Sequence, residues 1–154
     1  MADSENIFEW FQEWSLGDAG AYAVMKTFHE VAHVIDDFVD GEVLPDDRSK
    51  KMLQILETCL IQLPNIPFYA TNSLSYQSVV LQALLMYDEA NRLQDRANED
   101  MQCVAYIFRG SEELIYYHTA YLLGGLSHAE TVKREYRQLW MMNDSFADWK
   151  EEHL

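Results

Sequence analysis

The chain has 154 residues, with 26 acidic side chains against 11 lysines and arginines, and a formal net charge of −15 at pH 7. This length is typical of one domain, and a hydrophobic content of 49% is enough to form a buried core. The negative charge argues against direct, metal-free binding to nucleic-acid phosphates. It is compatible with metal binding or with docking on a basic protein surface.

The sequence also gives expectations about location. No apolar run reaches the ~18 residues needed to span a bilayer, so we predict no membrane segment. The N-terminal residues lack the basic start and apolar stretch of a signal peptide. We therefore expect a cytoplasmic protein.

Scarce glycines and prolines divide the chain into segments with helical spacing, and no alternating pattern requires a strand. Asp18 is the expected N-cap of the second helix and Gly41 its end, while the fourth helix is long and allows one break. The sequence thus predicts an all-α, compact bundle of about six helices in a single domain, 1–154. The predicted helices cover residues 4–14, 18–41, 46–63, 73–108, 111–124 and 127–142.

The stretch "FHEVAHVIDDFVDGE", residues 28–42, carries two histidines and several acids. Because a helix advances about 100° per residue, His29, His33, Asp36 and Asp40 fall on one narrow ridge, with Asp37 at its edge. "HEVAH" matches H-E-x-x-H, the spacing that holds zinc between two imidazoles. The extended H-E-x-x-H-x-x-G-x-x-H form and a substrate-binding strand are both missing from the sequence, so Zn²⁺ is the less favoured metal.

"DDFVD" within the same stretch matches D-D-x-x-D, a spacing of carboxylates that suits Mg²⁺. Such a ridge needs a second acidic helix opposite it, and the segment 88–100 provides one. We predict that the two ridges face each other around Mg²⁺. The predicted metal ligands are Asp36, Asp37, Asp40, Asp88, Asn91, Asp95 and Glu99.

The two segments "IDDFVDG" and "NRLQDRANED" resemble the aspartate-rich motifs of squalene and phytoene synthases. The matching positions are Asp36 and Asp40 in the first motif, and Asn91 and Asp95 in the second. The resemblance implies an all-helical bundle, a Mg²⁺ cluster between two helices and chemistry at a diphosphate. It covers some 20 residues of a chain that is much shorter than the family's members, and the two histidines are not part of its pattern.

The leading functional hypothesis is a Mg²⁺-dependent enzyme acting on a small diphosphate substrate, either a nucleotide or a prenyl-like one. His29 or His33 is the candidate for proton transfer, and Arg92, Arg96 and Arg109 are candidates for binding the diphosphate. The alternative is a small acidic protein that docks on a basic protein partner by imitating nucleic-acid charge. A zinc-binding protein is the second alternative. A homodimer is compatible with the sequence. In the simplest interpretation, the acids only form the solvated face of a helix.

Overall fold

The computed structural model describes residues 4–96 and 98–154, and the side chains from residue 7 onward. The all-α prediction is confirmed, and the described residues contain eight α-helices and no strand. Short 3₁₀ or π turns lie on either side of α3 and before α4. The α-helices are α1 (Ser4–Trp14), α2 (Ala19–Val39), α3 (Arg48–Glu57), α4 (Pro67–Thr71), α5 (Ser73–Leu93), α6 (Glu99–Arg109), α7 (Glu113–Asn143) and α8 (Phe146–His153).

The two additional helices are α4 and α8, which the sequence did not predict, and the two other differences cancel in the helix count. The predicted fourth helix is two helices, because α5 ends at Leu93 and Asn98 begins α6 by accepting hydrogen bonds from the backbone N–H groups of Asp100 and Met101. The predicted fifth and sixth helices form one element, α7, but its backbone leaves helical geometry at Gly125, where φ is +69° and ψ is −164°, so the predicted break is present as a kink. The expected N-cap Asp18 is confirmed, since its carboxylate accepts from the N–H of Ala21.

The main core is aromatic and lies between α1, α2 and α7. Phe11 and Trp14 of α1 pack on Tyr116 and Tyr136 of α7, with ring centroids 4.9 to 6.3 Å apart. The Trp14 indole N–H donates to Glu135 at 2.7 Å, which gives this buried ring a polar partner. This core fixes α2 against the first half of α7.

A second core joins α2 to α4, α5 and α7 through Phe28, Tyr76 and Ile115. A third joins α6, α7 and α8 through Tyr106, Trp140 and Trp149. The helix α2 packs on α1, α4 and α7, while α5 packs on α6 and α7. The two helices α2 and α5 therefore stand on opposite sides of a groove.

The apolar positions of α3 are mostly exposed, although their helical spacing suggests a core face. Met52, Leu53, Leu56 and Leu60 lie on the surface, and of this series Leu63 is buried. The described helices also include none with both the length and the apolar character needed to cross a membrane.

Candidate functional site

A groove of about 530 Å³ lies between α2 and α5 and is closed at its base by the start of α7. Its floor is apolar because both helices turn aliphatic and small side chains toward it. A volume of this size lies within the range of ligand-binding clefts. The apolar lining comes from Phe28, Val31, Ala32 and Ile35 of α2, Val80, Ala83 and Leu84 of α5, and Ile115 of α7.

One end of the groove is acidic. The last turn of α2 and the residues after it contribute Asp36, Asp37, Asp40 and Glu42, and Glu112 adds a carboxylate from the start of α7. In the part of the chain that the structure describes, Arg109 is the one lysine or arginine in the lining. The end of the groove is therefore strongly negative.

Arg109, the last residue of α6, links both walls of this acidic end. Its Nη2 lies 2.9 Å from Asp36 Oδ1 and 2.9 Å from Asp40 Oδ2. Its Nη1 donates to Gln94 Oε1 at 3.0 Å and reaches Asn91 Oδ1 at 3.5 Å. Burial lowers the pKa of Arg109, but the nearby Asp36 and Asp40 outweigh it and raise the pKa above its usual value. The guanidinium stays charged and ties α2 to α5.

Tyr87 of α5 makes a second link across the groove. Its hydroxyl donates to Asp36 Oδ1 at 2.5 Å, and its ring lies 5.9 Å from the Arg109 guanidinium carbon. Burial and the bond to Asp36 raise the pKa of Tyr87 well above its usual value. A neutral phenol therefore donates to the carboxylate at ordinary pH.

The two histidines of "HEVAH" lie side by side in the groove wall. His29 Nε2 and His33 Nε2 are 2.9 Å apart, and His29 Nδ1 lies 3.1 Å from the Tyr116 hydroxyl and 3.7 Å from Glu112 Oε1. One proton fits between the two Nε2 atoms, so one ring donates and the other accepts. Burial and the neighbouring His29 lower the pKa of His33. The two rings thus form a hydrogen-bonded pair in the groove wall.

The structure brings together some of the predicted metal ligands. Asp36, Asp40 and Asn91 meet at one point, and that point is occupied by the guanidinium of Arg109. Asp37 lines the groove close by, without a side-chain hydrogen bond or ion pair among the described residues.

Three other predicted ligands, Asp88, Asp95 and Glu99, are exposed and lie outside the groove. Glu99 binds Lys150 of α8 at 2.7 Å instead. Within 4–96 and 98–154, no group of three or more histidine, cysteine, aspartate or glutamate side chains could hold a metal ion. The magnesium and zinc sites therefore stay predictions.

The three arginines predicted to bind phosphate also divide between the groove and the exposed surface. Arg92 is exposed and pairs with Glu89 at 3.4 Å, and Arg96 is exposed in the turn after α5. Only Arg109 of the three lines the groove.

Sequence reasoning missed Tyr87, which lies one helical turn before Asn91 on the same face of α5. The four-residue spacing between Tyr87 and Asn91 was the signal in the sequence that could have identified Tyr87. No family model, curated protein or solved structure matches this chain, so a functional conclusion rests on the geometry of the groove.

Proposed function

We propose that the chain is a binding protein whose groove receives a basic, amphipathic helix of a partner protein. The observation that supports this most is the direct continuity between an apolar floor and an acidic end within one groove. An amphipathic helix bound in a groove places its apolar side chains on such a floor. Its lysines and arginines would lie at the carboxylates.

The balance of charge favours a cation over an anion at the acidic end. One guanidinium, that of Arg109, is present beside five carboxylates, and it is already bound by two of them, Asp36 and Asp40. The other three carboxylates are those of Asp37, Glu42 and Glu112. An anionic group would need a metal ion to approach, whereas a lysine would not. Asp37 and Glu42 make no side-chain ion pair with any described residue and are the expected partners of that lysine.

The apolar rim extends the surface beyond the floor. Leu84 of α5 and Cys59 of the turn after α3 both line the groove, and Leu60, next to Cys59 in the chain, is exposed. Exposed apolar groups beside a groove are typical of protein-binding surfaces. The rim favours a partner helix over a compact small molecule, which would leave it uncovered.

A labelled, synthetic leucine–lysine helix tests the proposal by fluorescence anisotropy. We expect binding to weaken as NaCl rises, and to weaken roughly tenfold in Asp37→Lys, since one close charge pair contributes on the order of 1.4 kcal/mol. Asp88→Lys is the matched control, because it makes the same charge change at an exposed residue outside the groove. Equal losses in the two variants would show that only the net charge matters.

A second variant tests the apolar floor. Ala32 lines the groove, and Ala32→Trp places a large ring in the space that the helix would occupy. We expect this variant to lose the peptide while its circular dichroism and melting temperature stay close to wild type. Unchanged binding to Ala32→Trp would contradict the proposal, because the floor would then not be the binding surface.

The Mg²⁺-dependent diphosphate enzyme is the second candidate, and the meeting of Asp36, Asp40 and Asn91 at Arg109 favours it. In that proposal Mg²⁺ takes the carboxylates, Arg109 turns to the phosphate oxygens, and the apolar floor holds the rest of the substrate. Melting with MgCl₂ and inorganic pyrophosphate tests it. A specific site predicts a rise in melting temperature that Asp36→Asn abolishes. A rise that NaCl reproduces at matched ionic strength contradicts it. The cytoplasmic location stays a prediction.

A further inference from the structure

Residues 58–87 contain no aspartate, glutamate, lysine, arginine or histidine, although the whole chain has 26 acids and 11 bases. This segment runs from the turn after α3 through most of α5. A surface helix normally carries charges on its solvent side. The solvent side of α5 has none until Asp88, so solubility alone does not explain its composition.

The outer face of α5 is apolar and uncovered. Leu74 is 80% exposed, Leu81 is 58% exposed and Leu85 is 61% exposed. At 100° per residue these three side chains lie within about 40° of one another, and the groove-lining residues of α5 point about a third of a turn away. Exposed apolar residues continue on α6, which packs closely on α5. They are Met101, Val104 and Ile107.

We infer that this outer α5 face, defined by Leu74, Leu81 and Leu85, is the contact of a homodimer. Two copies with a net charge of −15 repel each other wherever their acids approach within about a Debye length, roughly 8 Å at physiological ionic strength. A charge-free apolar face is where two such copies can meet with the least repulsion. A partner attracted by charge would instead bind the acidic end of the groove.

A two-fold axis would pair this face with its own copy. The same helix from each copy pairs with itself in an isologous contact, with the α5 helices antiparallel. The helix α5 has 21 residues and is therefore about 31 Å long, enough to carry a continuous apolar contact. Ser78 lies near the middle of the face, between Leu74 and Leu81, and is exposed. Both grooves stay open, because they lie on another side of α5.

Sedimentation velocity and light scattering of the full chain test the dimer. At about 100 µM, well above a micromolar dissociation constant, we expect a species of 36 kDa, twice the 18.0 kDa of one chain. Leu81→Glu and Leu85→Glu place like charges across the axis and should give the monomer with unchanged circular dichroism. Leu126→Glu is the matched control, since Leu126 is also exposed, at 67%, but lies on α7.

Crosslinking gives a second, independent measurement. Ser78→Cys, in a chain with Cys59→Ser and Cys103→Ser, should form an intermolecular disulfide, and Leu126→Cys in the same background should not. A wild type that stays at 18.0 kDa would overturn the inference, as would a dimer that survives Leu81→Glu and Leu85→Glu. Salt separates this inference from the proposed function: NaCl should strengthen the dimer and weaken binding of the basic peptide.

Discussion

Arg109 occupies the point between α2 and α5 where the sequence predicts a divalent cation. Its guanidinium bonds to Asp36, Asp40 and Gln94 at 2.9 to 3.0 Å. A planar group with five N–H donors can satisfy several oxygen atoms at once, as a metal ion does. One of the two negative charges at Asp36 and Asp40 is therefore compensated from within the chain.

Replacing Arg109 with methionine removes the charge and keeps most of the volume. We expect the free energy of unfolding to fall by about 3 kcal/mol, because Asp36 and Asp40 would be left facing each other without a cation. Chemical denaturation measures this loss. Adding Asp36→Asn and Asp40→Asn to Arg109→Met should recover most of it.

Arg92→Met is the control for this prediction. Arg92 is exposed and, among the described residues, pairs with Glu89 alone, so its loss should change stability by less than about 0.5 kcal/mol. If Arg92→Met and Arg109→Met lower the free energy of unfolding equally, the ion pairs of Arg109 do not stabilise the fold more than an exposed ion pair does.

Glu113 is the buried acid at the start of α7, where it pairs with Arg137. Burial raises the pKa of Glu113 from 4.5 to about 7, and the nearby Arg137 opposes this only in part. The folded chain therefore binds a proton at Glu113 between pH 4.5 and about 7 that the unfolded chain does not. The stability from this group is complete below pH 4.5 and is lost as the pH rises to about 7.

Glu113→Gln keeps the shape of the side chain and removes its titration. In the wild type, we expect this group to lower the unfolding free energy by up to roughly 3 kcal/mol as the pH rises across this range. We expect the variant not to show this decrease. Urea denaturation at several pH values measures it. Glu130→Gln, at an exposed residue of the same helix, should keep the wild-type slope. A wild-type slope in Glu113→Gln would show that another group is responsible.

At the scale of the helices, local signals in the sequence predicted the beginnings and ends well. The first helix begins and ends as expected, and Asp18 caps α2. A cap is a contact between neighbours in sequence, so its residues carry the information. The exposed leucines of α3 show the limit, because helical spacing identifies an apolar face but not whether another element covers it.

The kink in α7 lies where the sequence predicted a helix end. Two adjacent glycines suggested that one helix ends and another begins, and the backbone at Gly125 has the non-helical angles φ +69° and ψ −164°. Nothing lies within 4 Å of the position where a Cβ of residue 125 would be. Backbone conformation alone therefore requires glycine there.

Gly125→Ala tests this explanation of the bend. The observed φ and ψ lie in a region that only glycine adopts readily, so we expect a loss of about 2 kcal/mol in unfolding free energy. Ser127→Ala, two residues later and exposed, should have little effect. An alanine at 125 that is as stable as wild type would show that α7 can straighten without loss.

At the scale of the whole molecule, composition and spacing predicted the fold class but not the site. The absence of alternating segments predicted an all-α chain, and the structure confirms it. The acidic ridge of α2 was also recognised. The side chains that contact this ridge, Tyr87 and Arg109, were not recognised as its partners, because they lie 51 and 73 residues from Asp36 in the chain. Contacts between such distant residues depend on how the helices pack.

The central claim is that the groove between α2 and α5 is the binding surface of this protein. Hydrogen–deuterium exchange with and without the leucine–lysine helix tests it most directly. We expect new protection of backbone amides in 28–40 and 80–91, with little change in 126–135, which do not line the groove, and we expect Ala32→Trp to remove that protection. Protection confined to other helices, or equal protection in Ala32→Trp, would contradict the claim.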